Sequence, residues 1–174
     1  NCSAVLALHP LRKNRSVYQK TLMLNDFYLA TNDRLALGNV QMLGKITGPI
    51  MAANYRLPQW VANFVAARSF DFYAMSEDLP NPYSRVTLRD GQIKLDWRRS
   101  NWAAHMQLVQ ELKSKLRKAG FPVVVSKPFD RRTTSHQCGT ARMGDDPATS
   151  VVDSHCRSHD HPTLFIVDAS VLPT

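Results

Sequence analysis

The stretch SNWAAHMQLVQELKSKLRKAG, residues 100–120, constrains the fold more than any other part of this 174-residue chain. Trp102, Met106, Val109, Leu112, Leu116 and Ala119 recur at helical spacing, which predicts a long helix with one buried stripe. Ser100 or Asn101 can cap its start, and Gly120 sits where a left-handed C-terminal residue is favoured. Lys115, Arg117 and Lys118 load the last turn with charge that complements the helix dipole, so this basic cluster reads as a solvated helix end. His105, within the helix, is expected to be structural or exposed.

Strand-type runs surround this helix. VLALHPL, bounded by Pro10, and YQKTLMLNDFYLA both read as strands. LALGNVQMLGKITGP, cut by Gly38, Gly44, Gly48 and Pro49, reads as a loop. A helix at about 58–67 follows, with Trp60, Val61, Phe64 and Val65 on one face. Asp90-Gly91 divides two β-type runs. If Arg89 faces Gln92, then Leu88 faces Ile93, Thr87 faces Lys94 and Val86 faces Leu95, and the four aliphatic residues share one side of a two-residue hairpin. Pro80 and Pro82 belong before that hairpin, since proline cannot donate to a ladder. FPVVVSKPF reads as a strand, and so does 164–167 within TLFIVDASVLPT. Strands, then a helix, then strands imply an α+β fold, mainly an antiparallel sheet with flanking helices, rather than a doubly wound one.

Composition narrows the function classes. An apolar share of 44% and a charged share of 21% are those of a globular chain. No apolar run approaches the ~20 residues of a membrane-spanning helix. The net charge of +8 is spread over small separated groups, with no nucleic-acid motif and no interleaved aromatics, so nucleic acid is not an expected partner. Cys2, Cys138 and Cys156 are an odd number without C-x-x-C spacing, which argues for a reducing, cytoplasmic setting rather than a disulfide scaffold. The opening residues, Asn1 onward, read as internal rather than as a secretory leader.

The chemistry concentrates in TSHQCGTARMGDDPATSVVD, residues 134–153. Three readings of it compete. His136 and Cys138 could face the same way in an extended segment as a thiol–imidazole pair, although such pairs are usually assembled from distant segments. With His155, Cys156, His159 and His161 downstream, the residues 136–161 could instead tie a zinc ion in a non-enzymatic structural module, though the spacing fits no standard finger. In the third reading His136 exchanges a proton with an alcohol near neutral pH, while Gly139 and Gly144 let backbone approach a flat cofactor.

One combination bears on that choice. SHQCGTARMG, then SVVD, then CRSHDHPTLFIVDASVLPT resemble the C-terminal region of the glucose–methanol–choline (GMC) oxidoreductases. That pattern is His-x-x-Gly-Thr-x-x-Met-Gly, then Val-Asp, then an apolar strand ending Asp-Ala/Gly-Ser-x-x-Pro. It falls here on His136, Gly139, Thr140, Met143, Gly144, Val152, Asp153, Asp168, Ala169, Ser170 and Pro173. EDLPNPYSRVTL is similar to the family's substrate-domain hairpin entry, so the likeness extends from about Glu77 to Thr174.

The resemblance implies an FAD-dependent enzyme that oxidises an alcohol to a carbonyl, with hydride passing to flavin N5. It implies His136 as the catalytic acid/base and Asp168 and Ala169 as FAD-binding residues, with no metal ligands. His155, His159 and His161 then become surface-loop residues. The small-molecule partner is an alcohol. No Gly-x-Gly-x-x-Gly fingerprint occurs in the chain, and the family's second active-site His or Asn normally lies beyond the Pro-Thr at its end. The expectation is therefore a substrate-binding domain over residues 1–128 and a segment over 129–174 that returns to the FAD-binding domain. Such a chain would need the remainder of that domain as a partner and would be inactive alone.

Overall fold

The computed structural model describes residues 1–18, 20–32, 35–79, 81–130 and 138–172. They form two compact units, one of Asn1–Glu77 with Asn101–Phe129, the other of Asp78–Ser100 with Asp130–Thr174.

The first unit is built on strands β1 (Cys2–Leu8), β2 (Met23–Leu24), β3 (Asn39–Met42), β4 (Ser69–Met75) and β7 (Val123–Pro128), and helices α1 (Gly48–Tyr55), α2 (Gln59–Ala66) and α3 (Trp102–Lys118). The strands lie in the order β2-β3-β4-β1-β7, each pair antiparallel. Alternation along β1 sends Ser3, Val5 and Ala7 to one face, where they are almost fully buried. There Leu108, Val109, Leu112 and Leu116 of α3 close the main core with Val40, Phe72, Ala74 and Val124. Leu6, on the opposite face, packs with Met51, Ala62 and Ala66 of α1 and α2. Helices thus cover both faces of an antiparallel sheet, as the α+β reading expects.

Helix α3 differs from its prediction in detail. The buried stripe is His105, Leu108, Val109, Leu112 and Leu116, a rotation away from Trp102 and Met106. Asn101 is left-handed, with φ 49°, and its side chain makes no cap bond; its amide instead donates to the Glu77 carbonyl at 3.0 Å. The C-terminus follows expectation. Gly120, at φ 95°, donates to the Arg117 carbonyl and Phe121 to that of Leu116, closing the paired bonds of a glycine-terminated helix.

Three other readings need correction. Among its described residues YQKTLMLNDFYLA contributes only the two of β2, because a turn carries the Tyr28 N–H to the Asn25 carbonyl and buries Phe27. The segment read as a loop contains β3 and the start of α1, which is announced only by Pro49 in the first helical turn. In α2 the small Ala62 and Ala66 are the buried face, while Trp60 stands 76% exposed, because close helix approach favours small side chains there.

The second unit holds the hairpin β5 (Arg85–Arg89) and β6 (Gln92–Asp96). Its register is the predicted one, from Arg89↔Gln92 to Arg85↔Asp96. Asp90 and Gly91 both take positive φ, 53° and 72°, the primed turn that matches strand twist. The predicted strand at 164–167 does not form. Phe165 makes a single antiparallel bridge with Arg157, and Val167 is 82% exposed, because an apolar run becomes a strand only where a neighbouring strand runs alongside it.

Candidate active site

The motif-bearing residues of the second unit are organised by backbone pairing. Ala141 N–H donates to the Ser170 carbonyl at 3.0 Å, and Met143 N–H to that of Val171 at 2.9 Å. On the other side Gly144 N–H reaches the Val152 carbonyl at 2.9 Å and Val151 N–H the Arg142 carbonyl at 2.8 Å. Residues 141–144 are therefore clamped between two segments that are distant in sequence, with Val152 and Val171 buried at the junction. His136 falls within 131–137, outside the described residues. What the structure brings together is the Gly-Thr-x-x-Met-Gly run that follows it and the Asp168-Ala169-Ser170 run.

Gly139 has φ 77°, a left-handed conformation that glycine adopts at no steric cost. At Gly144 a Cβ would sit 3.1 Å from Cβ of Ser150, so the glycine permits a close approach. The Ser150 hydroxyl donates to the Gly144 carbonyl at 3.0 Å or to that of Asp146 at 2.6 Å. Asp146 turns the chain, its Oδ1 accepting from Ala148 N–H at 2.9 Å. The Arg142 guanidinium spans the same loop, with Nε donating to the Thr149 carbonyl at 3.0 Å.

Asp153 likewise serves backbone geometry. Its Oδ1 accepts from His155 N–H at 2.8 Å and Arg157 N–H at 3.0 Å, and these bonds, Arg157's first, hold its carboxyl below the usual range. Asp168 caps the short helical turn Ala169–Val171, accepting from Ser170 N–H at 2.8 Å. The Ser170 hydroxyl and then its N–H keep Asp168 ionised below the ordinary carboxylate range. Asp168 and Ala169 are exposed.

His159 is more than a loop residue. Its Nε2 lies 3.1 Å from the Gly144 carbonyl and 3.0 Å from Ser150 Oγ. A carbonyl only accepts, so Nε2 carries the hydrogen and the ring pins the Gly144 turn. Sequence reading missed this role because spacing does not reveal which backbone a histidine will reach. His155 and His161 are exposed, as the loop reading expects. Among the described residues no three His, Cys, Asp or Glu side chains are grouped to hold a metal ion, and no disulfide joins Cys2, Cys138 and Cys156.

In the first unit a cavity of about 460 Å³ is lined by Tyr28, Leu37, Asn39, Met75, Ser76 and Glu77 among others. Behind Ser76 lies His105, fully buried, whose Nδ1 is 2.8 Å from Ser76 Oγ and whose Nε2 is 2.7 Å from Ser3 Oγ. A buried histidine with both nitrogens engaged is a structural tie between α3 and the sheet. No helix among the described residues is long and apolar enough to cross a membrane.

The model of one protein family, described as GMC oxidoreductase, matches residues 80–174. The chain belongs to the GMC oxidoreductase family. The match covers the hairpin, the whole clamped segment and the motif residues from His136 to Pro173. Paromamine 6'-oxidase of Streptomyces fradiae is 42% identical over 59 residues, a stretch amounting to 33% of this chain and 11% of that protein. The matched stretch includes the region where residues 141 and 143 meet 170 and 171.

Proposed function

We propose that this chain is part of an FAD-dependent enzyme that oxidises an alcohol to a carbonyl. The observation that carries the reading is the pairing of residues 141 and 143 with 170 and 171, which joins two family motifs in one small framework. In this reading His136 accepts the hydroxyl proton from the substrate alcohol, a role that suits an imidazole near neutral pH. FAD, when bound, supplies the acceptor for the hydride of the carbinol carbon. Asp168 fits that cofactor as an ionised, exposed acceptor whose one oxygen is held by Ser170. Such a group suits a ribityl hydroxyl and would repel a phosphate. Ala169 lies beside it, with no side chain large enough to obstruct a ligand.

Residues 1–128 are proposed as substrate-binding and 129–174 as the return into the FAD domain, whose remainder the chain would need for turnover. A reducing, cytoplasmic setting is proposed from its three cysteines, which no disulfide joins among the described residues.

The test uses the full-length flavoprotein and stopped-flow absorbance of the flavin under anaerobic alcohol. His136→Ala is expected to slow flavin reduction by about 10²–10⁴-fold while flavin content stays unchanged. An unaltered rate would remove His136 from the chemistry, and a full-length protein without flavin would remove the enzyme class.

A further inference from the structure

The hairpin carries a second feature that the oxidation chemistry does not use. Its register puts Arg85, Thr87 and Arg89 on the same face as Asp96, opposite the aliphatic side chains. With Tyr83 and Arg98 they line a cleft of about 550 Å³. Three guanidinium groups there stand against one carboxylate.

The pairing within the cleft leaves cationic capacity unspent. Arg85 faces Asp96 across the strands but turns its guanidinium to the neutral Pro82 carbonyl. Asp96 is reached instead by Arg89, at 3.4 Å, with both side chains about half exposed, a geometry that contributes little. Arg98 lies over the Tyr83 ring, its carbon 4.7 Å from the centroid. Its backbone is fixed by Ser84, whose hydroxyl accepts from Arg98 N–H at 2.9 Å. Stacking on the ring orients this guanidinium without neutralising it.

An independent observation points to a ligand. The Thr87 hydroxyl, on the wall of the same cleft, is shielded from solvent and has no hydrogen-bond partner. A buried polar group is normally satisfied, and an orphan donor beside guanidinium groups is what an oxyanion would complete.

We propose that the polar face of the β5–β6 hairpin is a binding site for a phosphate-type oxyanion, held by Arg85, Arg89 and Arg98 with Thr87 donating from beneath. The phosphate belongs either to a small soluble molecule or to a lipid headgroup. None of its residues is among those assigned to the flavin or to proton transfer, His136, Asp168 and Ala169.

The experiment follows the arginine Nε–H signals of the 174-residue chain by NMR during titration with inorganic phosphate, against sodium chloride at equal ionic strength. Saturable shifts at Arg85, Arg89 and Arg98 with phosphate alone are expected. Arg98→Ala and Thr87→Val should each weaken binding by about fivefold or more, the latter without changing charge, and Asp96→Asn should tighten it. Unchanged amide spectra of the hairpin and of the first unit show that each variant stays folded. Co-sedimentation with phosphatidylglycerol vesicles, but not phosphatidylcholine vesicles, would assign a headgroup; phosphate binding without co-sedimentation would assign a soluble ligand. Shifts reproduced by chloride, or titrations indifferent to Arg98→Ala and Thr87→Val, would overturn the site.

Discussion

The two units of this chain are held together in different ways. The first has a five-stranded ladder with helices on both faces, and its core is a continuous set of buried aliphatic and aromatic side chains. Among the described residues the second has one two-stranded hairpin and a motif-rich segment with few buried apolar residues, Val152 and Val171 among them. There polar side chains close turns on the backbone: Asp146, Asp153, Asp168, Ser150, Arg142 and His159 each bond to main-chain groups. Burial of apolar area stabilises the first unit in bulk, whereas the second depends on individual bonds worth roughly 1 kcal/mol each. Residues that look catalytic by composition are therefore largely occupied in shaping the loop.

That contrast can be broken most directly at Leu112, which is fully buried in α3. Leu112→Ala is expected to cost about 3–4 kcal/mol. Hydrogen exchange should show β1, β4 and β7 losing protection together while residues 141–152 keep theirs. Equal losses in both units would erase the distinction. Next in size is Gly38, at φ 133°, where a Cβ would lie 2.0 Å from the Met75 carbonyl oxygen. Gly38→Ala should cost about 3 kcal/mol in urea unfolding, and a neutral result would show that the β3–β4 approach yields easily.

Asp71 tests whether the first unit tolerates polar burial. It is 2% exposed, and burial pushes its carboxyl up to about 6, against lesser lowering by the Ile46 N–H and Lys45. Its Oδ2 accepts from Ile46 N–H at 3.4 Å, and Oδ1 has no partner. The folded state binds this proton more tightly than the unfolded state, so the ionised form is destabilising. Stability should fall as pH rises from about 4 to about 6 and remain lower above it, by about 2 kcal/mol. Asp71→Asn should abolish that slope in urea titrations at pH 4 to 7, making the variant more stable at pH 7 and little different at pH 4. A retained slope would assign the titration elsewhere.

The smallest effect belongs to the second unit. His159→Ala removes the donor to the Gly144 carbonyl and should cost about 1 kcal/mol, read as faster amide exchange confined to residues 141–152. A loss comparable to that of Leu112→Ala would mean that the second unit is as cooperative as the first.

Legibility in the sequence followed the same division. The hairpin register, Gly120 at the end of α3 and the strands β1 and β7 were readable because turn chemistry and period-2 or helical spacing act locally. The rotation of the α3 stripe was not, because His105 is apolar enough to bury only once Ser3 and Ser76 satisfy its nitrogens, and those partners come from two other strands or their ends. β3 was missed since four residues beside two glycines carry no pattern until β4 lies alongside. At the site, the motifs marked the right neighbourhood, but His136 lies outside the described residues, and His159 had no local signal for its bond to Gly144.

By itself, then, the sequence determined the secondary structure that local chemistry dictates and the motif order by which the chain resembles GMC oxidoreductases. Tertiary structure alone decided which face of each helix is buried, whether 164–167 finds a neighbouring strand, and which backbone groups the histidines and aspartates reach. The physical reason is range. A turn or a helix period is set by residues within a few positions of one another, whereas burial and hydrogen-bond satisfaction depend on partners that folding brings from up to 102 residues away, as with Ser3 and His105.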